Sequence, residues 1–321
     1  MSLRSTIQRI TNRLASLIVL AAIFALPVSA QERGAADAVL GRWDLAVTGE
    51  AGSHPSWLEI RLRTERSLMA SFVGQFGSQR HASTVSFSNN QLEVRIPAQY
   101  EQGEELLFRG RLEEGVLRGT MRIDDGAEMT WTGRRAPALD RPAPETWGEP
   151  ENLLSAGLEG WHPRSEAHTG CWRIEDGVLS ATPPCVDLIS NSAFDDFRLS
   201  LEFRYPAGSN SGVYLRGRYE MQIQDDAGKA IDWLRIGGIY GFIAPAENAA
   251  AAPGEWQRLE VELVGRRVSV TLNGRDVIVA REIPGITGGA LDSDEGSPGP
   301  LMLQGDHGPI EFRNVLLSPA G

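Results

Sequence analysis

Asp196-Phe-Arg-Leu-Ser-Leu-Glu-Phe-Arg204 alternates without a break. Phe197, Leu199, Leu201 and Phe203 fall on one side of an extended chain, and Arg198, Ser200, Glu202 and Arg204 on the other. A period of two over nine residues marks a strand with one buried and one wet face. Downstream, Arg258-Leu-Glu-Val-Glu-Leu263 and Val268-Ser-Val-Thr-Leu272 repeat the pattern, and Asn273-Gly274 is a type I′ hairpin signal leading into Val277-Ile-Val279. Strands at this spacing with turn residues between them predict a sandwich or jelly roll.

Upstream, the β pattern starts again on the far side of a break. Trp57–Leu62, Thr84–Phe87, Leu92–Ile96, Leu106–Gly110 and Met129–Thr132 read as strands, with Asn89-Asn90, Glu114-Gly115 and Asp125-Gly126 as hairpin turns. Residues 36–135 are therefore expected to form a small antiparallel β domain, barrel or sandwich. His54 and His81 stand apart from any ligand spacing there. Residues 136–150 carry four prolines and no period, which reads as a semi-rigid linker. The second domain is expected over 151–318.

The chain has 321 residues, 41% hydrophobic and 23% charged, a balance that excludes wholesale disorder. Its 35 Gly and 18 Pro suit a turn-rich β architecture. A net charge of −11 argues against a nucleic-acid or anionic-membrane partner. Lys229 is the only lysine, which nearly excludes Schiff-base chemistry. At the N-terminus, Arg4, Arg9 and Arg13 precede a largely apolar run from Leu14 to Val28 that ends in Val28-Ser-Ala30. That is the pattern of a signal peptide over residues 1–30, with export to the periplasm or beyond and no membrane attachment after cleavage. Export permits a disulfide, and Cys171 and Cys185 flank a hairpin signal turning at Asp176-Gly177. Bridging them is expected to stabilise by roughly 3 kcal/mol.

Function is most legible in Asn210-Ser-Gly-Val-Tyr-Leu-Arg-Gly-Arg-Tyr-Glu-Met-Gln-Ile-Gln224. Read as one strand, it puts Val213, Leu215, Gly217, Tyr219, Met221 and Ile223 on an apolar face. Tyr214, Arg216, Arg218, Glu220, Gln222 and Gln224 share the opposite face. An aromatic ring, guanidinium groups, a carboxylate and amides in one row suit a sugar, which presents both hydroxyls and C–H faces. The bland alternative is an ion-pair ladder in which Arg216 or Arg218 meets Glu202 or Glu220. Near the C-terminus, Gln304-Gly-Asp-His-Gly308 places Asp306 and His307 in a tight turn, and His307 titrates in the range a general acid or base needs. Asp292, Asp294 and Glu295 lie in a glycine-rich loop whose spacing fits no defined calcium loop. No cofactor is expected, and calcium is left without support.

These residues carry a family resemblance. Leu158-Glu-Gly-Trp161, Phe197–Arg204, Asn210-Ser-Gly-Val213, Arg216–Gln222, Gly238-Ile-Tyr-Gly241, Gly254-Glu-Trp256, Leu272-Asn-Gly274, Thr287–Asp292 and Gly299–Asn314 occur in an order that resembles the 3-keto-disaccharide hydrolase domain, formerly a domain of unknown function. The resemblance covers residues 151 to 318 and leaves out the first β domain and the cysteine pair. It implies a concanavalin A-like jelly-roll sandwich and cleavage of glycosides already oxidised at C3, by removal of the C2 proton, elimination and hydration. On that reading His307 is base or acid, Glu220 its counterpart and Arg216 the clamp for the enolate oxygen. Tyr214 stacks on the ring, and Arg218, Gln222, Gln224, Asp225, Tyr240, Gln304 and Asp306 complete the sugar site. The alternative is a lectin-like protein that binds carbohydrate without cleaving it.

Overall fold

The computed structural model describes residues 36–50, 52–64, 67–99, 105–122, 128–168 and 170–321. The expected signal peptide and the Asp125-Gly126 turn lie outside the described residues. The all-β class expected from the alternation is what forms.

The first half consists of strands β1 (Gly41–Gly49), β2 (Gly52–Thr64), β3 (Ser67–Val73), β4 (Arg80–His81), β5 (Thr84–Ser88), β6 (Gln91–Ile96), β7 (Leu106–Glu113), β8 (Val116–Arg122) and β9 (Glu128–Arg135). They pair antiparallel in the order β4-β3-β2-β1-β9-β8-β7-β6-β5. Ala82 N donates to Ala70 O of β3 at 2.9 Å, and Ser83 N donates to Arg95 O of β6 at 2.8 Å. The chain from Arg80 to Ser88 thus crosses from one end of the sheet to the other and closes a barrel, which removes exposed edges. Trp43, Leu45, Leu58, Phe72, Val94, Phe108, Leu117 and Trp131 fill its interior.

The second half contributes β10 (Glu151–Asn152), β11 (Trp161–Pro163), β12 (Trp172–Glu175), β13 (Val178–Ala181), β14 (Leu188–Phe194), β15 (Phe197–Arg204), β16 (Asn210–Leu215), β17 (Tyr219–Gln224), β18 (Gln257–Val264), β19 (Arg267–Leu272), β20 (Arg275–Glu282), β21 (Gly299–Leu303) and β22 (Ile310–Pro319). One sheet runs β12-β13-β22-β15-β18-β19-β20, with β10 also on β22; the other runs β11-β14-β21-β16-β17. The apolar faces of both meet in one core. Phe197, Leu199, Leu201 and Phe203 of β15 share it with Val213, Leu215, Tyr219, Met221 and Ile223 of the smaller sheet. Burying each large apolar side chain contributes about 1.5–3 kcal/mol. Cys171 and Cys185 form a disulfide with Cα atoms 5.3 Å apart, stapling the β12–β13 hairpin.

The expected linker is extended but bound along its length. Ala136 N donates to Arg42 O, Gly148 N to Pro319 O, and Arg141 pairs with Asp195 at 2.6 Å. Barrel and sandwich share buried surface: Trp57 and Val73 belong to the sandwich's core cluster, and Trp57 packs edge-on against Phe242 at 5.5 Å.

The segment 210–224 departs from its reading as one strand. Arg216 and Gly217 take φ of 53° and 66°, so the chain reverses there and β16 pairs with β17 as a hairpin. Gly217 N donates to Tyr214 O, and Arg218 N to Leu215 O, across that turn. Left-handed backbone is unfavourable for arginine but ordinary for glycine. The Arg-Gly pair carried the turn signal. Parity still places Tyr214 beside Glu220 and Gly212 beside Gln222, because the register pairs even positions with even ones.

Candidate functional site

The face of the smaller sheet turned away from the core forms the floor of a pocket of about 220 Å³. Its walls include Arg164, Asp187, Asn210, Tyr214, Glu220 and Gln222. Tyr240, Gln304, Asp306, His307 and the loop glycines Gly288 and Gly289 complete the sandwich's share, and Phe76 and Gly77 come from the barrel.

Glu220 sits at the centre of the hairpin floor, 5% exposed. Its side chain lies over Gly212, where a Cβ would come within 2.8 Å of its Oε1, so only glycine leaves room for it. Tyr214 is its direct cross-strand partner, and the Tyr214 hydroxyl donates to Gly288 O at 3.0 Å. Oriented with its donors toward acceptors, the Gln222 amide donates to Glu220 Oε1 at 3.3 Å and to Ser211 O at 3.2 Å. Burial pushes the Glu220 carboxyl up to about 8, and the charges of Asp187 and Asp306 push the same way. The neighbouring Tyr214 hydroxyl dipole and the His307 charge oppose the rise. At neutral pH Glu220 is therefore a protonated acid that holds its proton close to the point of release.

His307 stands half-exposed at the rim, and its Nδ1 is bonded to Asp306 Oδ1. The hydrogen bond to Asp306 raises the His307 pKa above its ordinary value, and burial works against it. With Nδ1–H donating to a carboxylate, Nε2 is the nitrogen left for a ligand. Arg164, one residue beyond β11, reaches the pocket wall: its Nη1 donates to Asp187 Oδ2 at 3.0 Å and to Gly289 O at 2.9 Å. Asp187 in turn accepts from Gly305 N at 3.1 Å, which holds the Gln304–Gly308 turn against it. Gln304 Oε1 is buried at the wall with no hydrogen-bond partner among the described residues. An orphaned buried acceptor at a pocket wall is a place for a ligand hydroxyl.

A profile for the 3-keto-alpha-glucoside-1,2-lyase-like domain matches residues 150–318, more than half of the chain. The chain belongs to that family. The match includes every pocket residue except Phe76 and Gly77. No curated protein matches. Among solved structures, two proteins of Parabacteroides distasonis assigned as glycosyl hydrolases are similar. One is 24% identical, covering 55% of this chain and 92% of its own, with a TM-score of 0.45. The other is 25% identical, covering 53% and 98%, with a TM-score of 0.42. The carbohydrate-binding module CBM66 of Bacillus subtilis is 16% identical over 49% of this chain and 93% of its own, with a TM-score of 0.34.

Within the lyase-like domain the structure brings together Glu220, Gln222, Tyr240, Gln304, Asp306 and His307 around one pocket. It turns others away. Arg216 is fully buried at the hairpin end, where Nη2 donates to Gly265 O at 2.7 Å and to the Tyr219 hydroxyl at 3.2 Å, and Nη1 meets Asp195 at 3.2 Å. The reversal at Arg216-Gly217 swings it out of the row, so it cannot clamp an oxyanion in the pocket. Arg218 is 2% exposed and locks to Asp292 at 2.6 Å and Ser297 O at 2.8 Å. The ladder alternative fails as well, since Glu202 pairs with Arg313. Tyr214 borders the pocket, but its ring is 2% exposed beneath the Gly288–Gly289 loop and offers no open face for stacking. Asp225 accepts from Gly208 N at 2.8 Å, and Gln224 lies beyond Gln222; neither lines the pocket.

The acidic cluster is divided among separate partners. Asp292 takes Arg218, Asp294 takes the Ser297 hydroxyl at 2.7 Å, and Glu295 takes Arg266 at 3.0 Å and Tyr219 at 2.7 Å. Among the described residues no three potential ligands converge on a metal position. Sequence reasoning missed Arg164, Asp187 and Phe76. Arg164 and Asp187 are far apart in sequence and meet because β11 pairs with β14, with Arg164 N donating to Asp187 O at 2.8 Å. No local spacing announces that contact.

Proposed function

We propose that the protein is an exported enzyme that cleaves 3-keto-glycosides by elimination followed by hydration. Family membership makes it carbohydrate-active; the observation that supports the finer reading is the pairing, in one pocket, of a protonated buried Glu220 with the Asp306-tethered His307. A carbonyl at C3 acidifies the C2 proton. His307 Nε2 removes that proton, and the electron pair passes into the C3 enolate. Arg164, whose guanidinium carries five donors, takes over the enolate-clamp role that Arg216 is too remote to fill. The enolate then re-forms the ketone as the C1–C2 double bond forms and the C1–O bond breaks. Glu220 gives its proton to the departing oxygen. Water adds across the double bond: its hydroxyl goes to C1 and its other proton restores Glu220, while His307 returns a proton, exchanged with solvent at the rim, to C2, so that the sum is hydrolysis. Gln222, Gln304 and Asn210 orient ring hydroxyls.

The test is incubation of the purified protein with 3-keto-trehalose, 3-keto-sucrose and the unoxidised sugars in D2O. Release of sugar from the keto compounds alone, with deuterium at C2, is the expected result. Release that ignores the keto group overturns the elimination, and binding without release leaves a lectin. In His307→Ala both exchange and release are expected to fall by about 10²-fold or more.

A further inference from the structure

The pocket of the lyase-like domain is completed by the barrel, outside the family match. The β3–β4 loop, residues 74–79, crosses onto the rim and is fastened there by backbone. Gly289 N donates to Gln75 O at 2.8 Å. A Cβ on Gly288 would lie 2.4 Å from Gly77 O, and one on Gly241 would lie 2.8 Å from the Ser78 Cβ. Such approach is open only to glycine, so the rim is shaped to receive this loop. On the barrel side, Gln99 Nε2 donates to Ser78 Oγ at 2.7 Å. The loop is a fixed wall of the site.

At its tip Phe76 borders the pocket and is 63% exposed. A phenyl ring held on a pinned loop at the mouth of the cavity presents a flat apolar face to any part of a ligand that extends beyond it. The cavity's 220 Å³ falls below the roughly 300 Å³ at which pockets for drug-sized ligands begin, so it encloses one sugar ring and leaves a second outside. The buried ring of Tyr214 cannot stack on that second ring. Resting on the function proposed above, we infer that Phe76 forms an outer subsite that stacks on the C–H face of the second ring of a disaccharide, so that the barrel sets the preference for disaccharides over simple glycosides.

The experiment compares kcat/KM for 3-keto-trehalose with that for methyl 3-keto-α-glucoside, in wild type, Phe76→Ala and Phe76→Trp, with folding checked by circular dichroism. Phe76→Ala is expected to lower the disaccharide-to-methyl ratio about five-fold through KM, and Phe76→Trp to restore it. An unchanged ratio, or equal losses on both substrates, overturns the subsite. If the wild type releases no sugar, the ratio of dissociation constants measured by calorimetry replaces the rate ratio. A five-fold rise in the disaccharide-to-methyl ratio on Phe76→Ala keeps the subsite while the elimination reading fails, an unchanged ratio overturns the subsite, and no binding of either compound overturns both.

Discussion

Glu220→Gln is expected to make the protein more stable and catalytically inert, by amounts that depend on pH in a defined way. In the folded chain, burial raises the Glu220 carboxyl from 4.5 to about 8. The unfolded chain releases this proton once pH exceeds 4.5, while the folded chain keeps it to about 8, so folding stability falls as pH rises between those values. Each unit costs about 1.4 kcal/mol, or about 3 kcal/mol between pH 5 and pH 7. Glutamine keeps the shape, offers N–H donors toward Tyr214 and has nothing to titrate. Urea denaturation of both proteins at pH 5, 6, 7 and 8 should therefore show the mutant's advantage widening by about 3 kcal/mol from pH 5 to pH 7 and levelling off above pH 8. Wild-type kcat should decline above about pH 8 as the acid loses its proton. A stability gap that stays constant across this range would refute the buried-acid reasoning. A kcat that keeps climbing above pH 8, past the rise expected as the His307 base loses its own proton, would instead make Glu220 the base.

Three further outcomes follow from the same geometry. Arg164→Met should lower kcat about 10²- to 10³-fold and also weaken folding by stranding the buried Asp187 carboxyl, whereas Arg216→Met should lower the urea midpoint and leave kcat of the folded fraction within a few-fold. Burial, and behind it the neighbouring Glu295, holds the Asp44 carboxyl well above its usual range at the barrel–sandwich junction. Stability from this group is lost as pH rises, so Asp44→Asn should raise the melting temperature more at pH 8 than at pH 5. Cys171→Ser with Cys185→Ser should cost roughly 3 kcal/mol, read as a lower urea midpoint, since the bridge closes a loop with a separation of 14 residues.

The strands were readable because a half-buried strand writes its burial into its own sequence. Phe197–Arg204 alternates, and its four apolar residues are the buried ones. Strands β3, β8, β14 and β22 were missed, as was the reversal at Arg216-Gly217, where an arginine occupies backbone that usually calls for glycine or asparagine. That one turn undid the role of Arg216, while Glu220 and Gln222 kept their face because the hairpin register preserved parity.

The chain's own sequence determined the β class, the proline-rich break, the turn holding Asp306 and His307, and the face carrying Glu220. Each of these depends on neighbours a few residues apart, through side-chain alternation or backbone preference. Only the tertiary structure decided that Arg164 meets Asp187, that Arg216 faces Gly265, and that Phe76 of the barrel stands over the sandwich's pocket. Those pairings depend on strand register and domain packing between segments 23 to more than 200 residues apart, and no local pattern encodes a partner at that distance.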